Sequence, residues 1–230
     1  DSKAVATQKF AKTPTVFCQI AQPNTNYLLV PGVSSERRGY IPIGFMPSTT
    51  IASNATLIIP NAGLYHFGIL SSAMHMAWVR HVAGRLKSDY RYSNQIVYNN
   101  FPWLEIPSHP PLSKVGKDLD SPLRKRGDRG DFLINAIEQA AQSVLDARAA
   151  HPESSLADLY DPIVMPPDLR RAHQALDRAV DAAYGKRNFT SDAERVAFLF
   201  DLYHQYTSLL PSPATPVRRK KRTINSRHIS

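Results

Sequence analysis

The spacing of apolar residues changes partway along this chain, and that change limits the folds it can adopt. Up to about residue 103 the apolar residues form short runs closed by Pro, Gly or Asn, a pattern typical of β-strands. Beyond residue 131 they recur every three or four positions, as on one face of an α-helix. The sequence therefore predicts an α+β fold, in which a mixed strand-rich module is followed by a small α-helical bundle.

The strand-rich module is expected to hold one embedded helix. Its predicted strands are residues 27–30, 40–45, 55–59 and 64–69. Met74, Ala77 and Trp78 follow helical spacing after them, and Gly84 is a typical stop signal. This helix is predicted to face the core.

Three amphipathic helices are expected in the second module. Their predicted apolar positions are Leu133, Ile137, Ala141, Val144 and Leu145; Leu169, His173, Leu176, Val180 and Tyr184; and Val196, Leu199, Phe200, Tyr203 and Leu210. Pro166 and Pro167 precede the second helix. Ser191, with Glu194 three residues later, is the pattern of a capping box at the start of the third helix.

Residues 107–131 differ from both modules. A six-residue motif that begins with Pro-Leu occurs at residues 111–116 and again at 122–127. The segment around the two copies is rich in Pro, Gly and charged residues. We interpret the segment as an inserted low-complexity repeat loop. The predicted organisation is a first module at 1–106, this loop at 107–131, a helical domain at 132–210 and a basic flexible tail at 211–230.

The net charge of +9 is concentrated near the two ends of the chain. Residues 1–103 carry nine Lys and Arg against three acids, residues 104–216 carry 13 against 16, and residues 217–230 carry six against none. Basic ends favour a phosphate backbone, because neutralised phosphates release counterions. Charge alone also fits a basic protein that binds no nucleic acid. A membrane partner is not expected, because no run approaches about 18 apolar residues.

Catalytic and metal-binding patterns are not recognised in the sequence. The histidines lack the spacing of a zinc site, and Cys18 has no neighbouring pattern that would activate it. One unpaired cysteine fits a reducing, cytoplasmic location. Asp158 and Asp161 are interpreted as helix-cap and turn residues, and His173 as a core imidazole. We therefore predict no catalytic residue and no metal site.

Charged and aromatic residues alternate between residues 86 and 93. Such a period of two predicts a single β-strand with two distinct faces. The charged face would carry Lys87, Asp89 and Arg91, and the buried face Ser88, Tyr90 and Tyr92. The charged face is suited to a polar partner.

Three segments of the chain resemble the C-terminal part of the large MmeI-like restriction-modification enzymes. They are residues 33–45 (VSSERRGYIPIGF), 84–103 (GRLKSDYRYSNQIVYNNFPW) and 155–162 (SLADLYDP). Members of that family are single chains that methylate adenine in DNA. The resemblance implies a DNA target-recognition domain followed by a C-terminal helical domain.

Double-stranded DNA is the partner that the resemblance implies. Contacts to the DNA backbone are then expected from Ser34, Ser35, Arg37, Arg38 and Arg85. Base contacts are expected from Lys87, Asp89 and Arg91. A Lys can donate to guanine O6 and N7, and an Asp can accept from the amine of cytosine. From the pattern alone, each of these charges could equally be an ordinary solvated surface position.

The cofactor and catalytic motifs of that family are not found in the chain. Its members need a glycine-rich turn for S-adenosylmethionine and an Asn/Asp/Ser-Pro-Pro-aromatic loop that holds the flipped adenine. Residues 100–103 (NFPW) lack the first proline of that loop. We interpret them as a strand end, with Pro102 and Trp103 packing on the helical domain. The chain is expected to be inactive alone, with methyltransferase and nuclease regions supplied in cis or in trans.

Two further functions are open at this point. One is a structural or interaction module without a role on DNA. The other is an RNA-binding module, because alternating Tyr and Arg on a sheet can stack bases.

Overall fold

The computed structural model describes residues 4–13, 22–104, 122–185 and 189–208. It contains antiparallel sheets and several helices, which confirms the predicted α+β class. Cys18, residues 107–121 of the predicted repeat loop and the basic tail lie outside the described residues.

The described chain begins and ends in helices, with the strands between them. The strands are β1 (Tyr27–Pro31), β2 (Val33–Ser34), β3 (Gly44–Met46), β4 (Thr56–Pro60), β5 (Gly84–Leu86) and β6 (Asp89–Arg91). The helices are α1 (Val5–Phe10), α2 (Leu64–Leu70), α3 (Ala73–Val82), α4 (Pro122–Ala149), α5 (Leu156–Leu159), α6 (Pro167–Ala183) and α7 (Asp192–Thr207), with a π-helical turn at Asn94–Tyr98.

Two three-stranded antiparallel sheets meet at Gly32. The first has the order β3-β1-β4, and the second has the order β2-β6-β5. The Gly32 N–H donates to the Ala55 carbonyl, and its own carbonyl accepts from Tyr92 N–H, each at 2.9 Å. A Cβ at this position would lie 2.6 Å from the Ala55 oxygen. Only glycine permits so close a backbone approach, and it fixes one sheet against the other.

The predicted strand at 40–45 is shorter in the structure. Only Gly44, Phe45 and Met46 pair with β1. Pro42 has no N–H to donate to a strand ladder, which limits pairing over the first part of the run.

The predicted strand at 64–69 is wrong, because these residues belong to helix α2. Short apolar runs do not distinguish a buried strand from a buried helix by periodicity. Phe67, Gly68, Ile69 and Leu70 are all buried here, since α2 packs against α3, α4 and α6. Tertiary packing therefore decides the structure of this run.

Helix α4 begins earlier than the sequence analysis predicted. It starts at Pro122, so residues 122–131, expected in a loop, are helical. Proline is favoured at the first helical position, and the three Arg of this run, with Leu123 and Lys125, favour helix, although Gly127 and Gly130 do not.

The helices of the C-terminal half share their core with the first half. Helices α4 and α6 contact each other and α2, whereas α7 packs on α3. Among the predicted core positions, Ile137, Leu176 and Leu199 are fully buried, whereas Phe200 is partly exposed. One continuous cluster of buried residues therefore includes both halves.

Helix α2 crosses the C-terminal helices at Gly68. A Cβ on Gly68 would lie 2.7 Å from Ile137 Cγ2, 3.3 Å from Ala141 Cβ and 3.4 Å from Leu176 Cδ1. The missing side chain lets α2 lie closely against α4 and α6.

Two histidines are buried within this core. His75 Nε2 lies 2.9 Å from the Tyr92 hydroxyl, and His173 Nε2 lies 2.6 Å from the Tyr160 hydroxyl. Burial away from solvent lowers the pKa of each imidazole to about 3. The prediction that His173 is a core imidazole is confirmed, and both rings are neutral near pH 7.

We expect Gly68→Ala to destabilise the protein by about 2 kcal/mol. Overpacking a core costs about 1–3 kcal/mol, and the three close contacts favour the upper end of that range. The higher helix propensity of Ala than of Gly offsets up to about 1 kcal/mol of this cost. Chemical denaturation measures the difference. Gly39→Ala is the control, because its Cβ would have nothing within 4 Å. Equal effects of the two substitutions would contradict the crossing described above.

We expect the free energy of unfolding to fall as the pH is lowered from about 6 to 4. Each buried histidine is neutral in the native state but protonates when unfolded, which costs about 1.4 kcal/mol per pH unit for each. Asp177 has the opposite effect on the free energy of unfolding. Burial raises its pKa to about 6, so its carboxylate protonates more readily in the native state than in the unfolded state. The net expected slope is about 1.4 kcal/mol per pH unit. Urea unfolding at successive pH values checks it, and constant stability would contradict it.

Candidate nucleic-acid interface

The second sheet gathers the residues that the sequence analysis selected. Val33 pairs with Arg91 and Ser34 with Tyr90, while Arg85 pairs with Tyr90 from the other side. The loop that follows β2, residues 35–38, lies beside the tip of the β5-β6 hairpin. We call this sheet together with residues 35–38 the hairpin surface.

The predicted single strand at 86–93 is wrong, because the chain reverses at Lys87 and Ser88. Leu86 and Asp89 pair across this two-residue turn. Lys87 has a φ of 57°, the left-handed conformation that tight hairpin turns require. Lys87 therefore lies at the tip of a hairpin and does not share a strand face with Asp89.

One face of the second sheet is covered by an arginine. The Arg85 guanidinium carbon lies 4.1 Å from the centre of the Tyr90 ring, and its Nη1 donates to the Ser88 carbonyl at 2.9 Å. The Glu36 carboxylate is 3.7 Å from the same nitrogen. These contacts hold the Arg85 side chain along the hairpin, with part of its surface still exposed.

The opposite face of this sheet is open. Directly paired residues of antiparallel strands share a face, so Val33 and Arg91 lie on one side together with Leu86 and Asp89. Val33, Leu86 and Arg91 are exposed, and Asp89 is half-buried. Asp89 Oδ1 accepts a long hydrogen bond of 3.4 Å from Glu36 N–H, which connects the loop to the hairpin.

A groove of about 440 Å³ runs along this open face. Val33, Leu86 and Arg91 line one side of the groove. The other side is formed by the end of the loop before β4 and by the first residues of β4. Asn54, Ala55 and Thr56 belong to that second side. The sequence pattern did not indicate these three residues. Gly32 is the signal that could have indicated them, since a glycine within a strand region often marks close backbone approach.

The loop after β2 carries exposed charge. Arg37 is exposed and Arg38 is half-buried, and Arg38 N–H donates to the Ser35 carbonyl at 3.2 Å in a tight turn. Arg37 N–H lies 3.4 Å from Ser35 Oγ. Ser34 is only 2% exposed, which does not fit the predicted role of this residue in phosphate contact.

Cationic side chains outnumber acidic ones on the hairpin surface. The cations are Arg37, Arg38, Arg85, Lys87 and Arg91, and the acids are Glu36 and Asp89. The excess makes the surface favourable for an anionic partner.

Other residues considered in the sequence have structural roles. Ser155 and Asp158 form a reciprocal cap on α5, and Asp161 accepts from Ile163 N–H in a turn, as predicted. Within the described part of the chain, no three His, Cys, Asp or Glu side chains come together in a way that could hold a metal ion. None of the helices described here is long and apolar enough to span a membrane.

Residues 100–103 follow the π-helical turn and are not a strand end. The Tyr184 hydroxyl donates to the Pro102 carbonyl at 3.0 Å, and the Tyr206 hydroxyl donates to the Trp103 carbonyl at 3.2 Å. Contact between this segment and the C-terminal helices, which the sequence predicted, is therefore present.

Comparison with known proteins covers both halves of the chain. Two family models match: MmeI, target recognition domain, over residues 1–105, and MmeI, C-terminal domain, over residues 131–211. DNA methyltransferase A of Bacillus subtilis (strain 168) is 43% identical over 202 residues, which cover 87% of this chain and 20% of that protein. The solved structure of the type IIL restriction-modification enzyme MmeI in complex with DNA is 46% identical, with a TM-score of 0.74. That match covers 90% of this chain and 25% of the MmeI chain.

Proposed function

The chain belongs to the MmeI family, with a target recognition domain followed by a C-terminal domain, and we propose that it recognises a specific sequence in double-stranded DNA. The observation that carries this proposal is the hairpin surface, where five cationic side chains outnumber two acidic ones and Arg91 lines an open groove. The similarity to an enzyme whose structure was solved in complex with DNA supports the same partner.

The shape of the β5-β6 hairpin suits the major groove of DNA. That groove is about 12 Å wide and admits a two-stranded β-ribbon. Lys87 is exposed at the tip, and Asp89 lies on the adjacent open face. We propose that the tip of the hairpin approaches the groove, where Lys87 and Asp89 can reach base edges.

Lys87 and Asp89 are proposed to read one G·C pair. Lys87 would donate to guanine O6 and N7, and Asp89 would accept from the amine of cytosine. Among the described residues, the bond from Glu36 N–H engages Asp89 Oδ1, which leaves Oδ2 for a base. Arg91, which lines the groove, is proposed to contact a neighbouring base pair.

Contacts to the DNA backbone are assigned to the loop beside the hairpin and to Arg85 of β5. Arg37, Arg38 and Arg85 supply charge, and Ser35 supplies a hydroxyl, to fix the position of the duplex. Ser34 is left out of this group because it is buried.

Methyl transfer to adenine with S-adenosylmethionine is proposed to belong to other regions of the full-length enzyme. The chain spans about a fifth to a quarter of the relatives that it matches. Its sequence lacks the glycine-rich turn and base-holding loop that this chemistry needs. A cytoplasmic location, where DNA is accessible, fits the proposal.

The RNA-binding alternative has little support in the geometry. Stacking of single-stranded bases needs exposed aromatic rings. Tyr90 and Tyr92, which suggested that alternative, are each only 5% exposed.

We expect the purified chain to bind duplex DNA more tightly than single-stranded RNA of equal length. If Arg37, Arg38 and Arg85 each contact one phosphate, the logarithm of the affinity should fall with the logarithm of salt concentration with a slope of about −3. Fluorescence anisotropy titrations at several salt concentrations measure both the affinities and the slope. A salt-independent affinity, or a preference for RNA, would contradict the proposal.

The pair of substitutions Lys87→Glu, Asp89→Arg tests base recognition. Exchange of donor and acceptor should invert the preferred base pair from G·C to C·G, with about 1–3 kcal/mol of discrimination per contact. Selection of bound duplexes from a random pool, followed by sequencing, measures the preference. Arg37→Ala is the control, because loss of a phosphate contact should weaken all sequences alike. An unchanged preference in the double variant would show that the two residues are ordinary surface charges.

A further inference from the structure

Residues 39–43 connect the loop of the hairpin surface to β3 and lie outside both sheets. Ile41 and Ile43 within this connection are buried. Because the connection is not part of a strand ladder, side-chain contacts must determine where it lies. The side chains that contact Tyr40 and the Ile43 carbonyl come from the C-terminal half of the chain.

Tyr40 is held by helix α6. Its hydroxyl donates to Asp177 Oδ2 at 2.7 Å, and its ring stacks on the His173 ring with 4.0 Å between centroids and 20° between planes. Two side chains of one helix therefore fix both the hydroxyl and the ring. We call Tyr40, His173 and Asp177 the Tyr40 latch.

The latch is itself fixed to the start of α3. Asp177 Oδ1 accepts from Ala73 N–H at 2.7 Å, and His173 Nδ1 lies 3.2 Å from the Ser71 carbonyl. The Asp177 carboxylate therefore bonds to Tyr40 and to the first turn of α3 at the same time. Movement of Tyr40 away from this position would leave a partly buried carboxylate with one partner fewer.

A second tether lies at the other end of the connection. Arg148 Nη1 of α4 donates to the Ile43 carbonyl at 2.7 Å, and Arg148 Nε donates to the Tyr160 hydroxyl at 2.8 Å. The same hydroxyl bonds to His173 Nε2. Contacts therefore run from the Ile43 carbonyl through Arg148, Tyr160 and His173, whose ring stacks on Tyr40, and the three intermediate residues all belong to the C-terminal half of the chain.

We propose that Tyr40 and Asp177 are positioning residues for DNA binding: through the Tyr40 latch, helix α6 sets the location of the loop that carries Arg37 and Arg38. Tyr40 is only two residues beyond Arg38, so displacement of its ring moves the loop directly. The proposal rests on the proposed function, because it assigns to the C-terminal half a part in binding the DNA backbone.

The test compares Tyr40→Phe with Asp181→Asn in the full chain. Tyr40→Phe keeps the ring and removes only the hydroxyl of the latch. Asp181 lies one turn beyond Asp177 on α6, is also buried, and accepts two bonds from Arg195 of α7. Asp181→Asn therefore perturbs a buried carboxylate of the same helix without removing a hydrogen bond of Tyr40 or Asp177.

For Tyr40→Phe we expect duplex affinity to fall about three- to tenfold, the range for one lost hydrogen bond. The salt slope should fall by about one, as expected for one lost phosphate contact, while the preferred DNA sequence stays the same. Amide hydrogen exchange at residues 37–39 should accelerate. Asp181→Asn should lower the melting temperature yet leave affinity, salt slope and loop exchange at wild-type values.

Two results would overturn the inference. One is wild-type loop exchange and salt slope in Tyr40→Phe. The other is a loss of affinity in both variants that follows only their loss of stability. If the wild-type chain binds no DNA, the proposed function fails, whereas loop exchange in Tyr40→Phe still reports on the latch.

Discussion

The close crossing of α2 with α4 and α6 at Gly68 is the constraint on which the rest of the structure depends. A side chain there would meet Ile137 at 2.7 Å and separate the helices. The connection from α2 to α3 supplies the backbone groups that bond to His173 and Asp177 of α6. Helix spacing therefore determines where α6 meets Tyr40, next to the loop of the hairpin surface.

The hairpin surface combines buried residues that fix its position with side chains that are exposed to solvent. Gly32 fixes the two sheets against each other, and the buried His75 holds the Tyr92 hydroxyl by a hydrogen bond. Lys87 and Arg91 extend to solvent. Such a division suits recognition, because buried contacts maintain the shape while exposed side chains carry the chemistry.

Sequence patterns predicted the long helices well, because periodicity of 3.6 and capping signals are local properties. The positions of Leu176 and Val180, and the cap at Ser191, show this. The sequence patterns gave wrong predictions where contacts between residues far apart in the sequence determine the local structure. Residues 64–69 form a helix because α4 and α6 cover them, and the alternation at 86–93 conceals a turn at Lys87. For the candidate site, the residue types were identified from sequence and from resemblance, but the groove side formed by residues 54–56 depends on how the sheets meet.

The continuous core has a consequence for how such recognition modules are inherited. The two family models divide the chain between residues 105 and 131, yet the buried cluster extends across that division. Recombination within this interval would join an α2 surface to α4 and α6 surfaces from a different ancestor, and the fit around Gly68 would be lost. Exchange of both halves as one unit would keep the contacts around Gly68, whereas point substitutions at the hairpin tip leave the shared core intact.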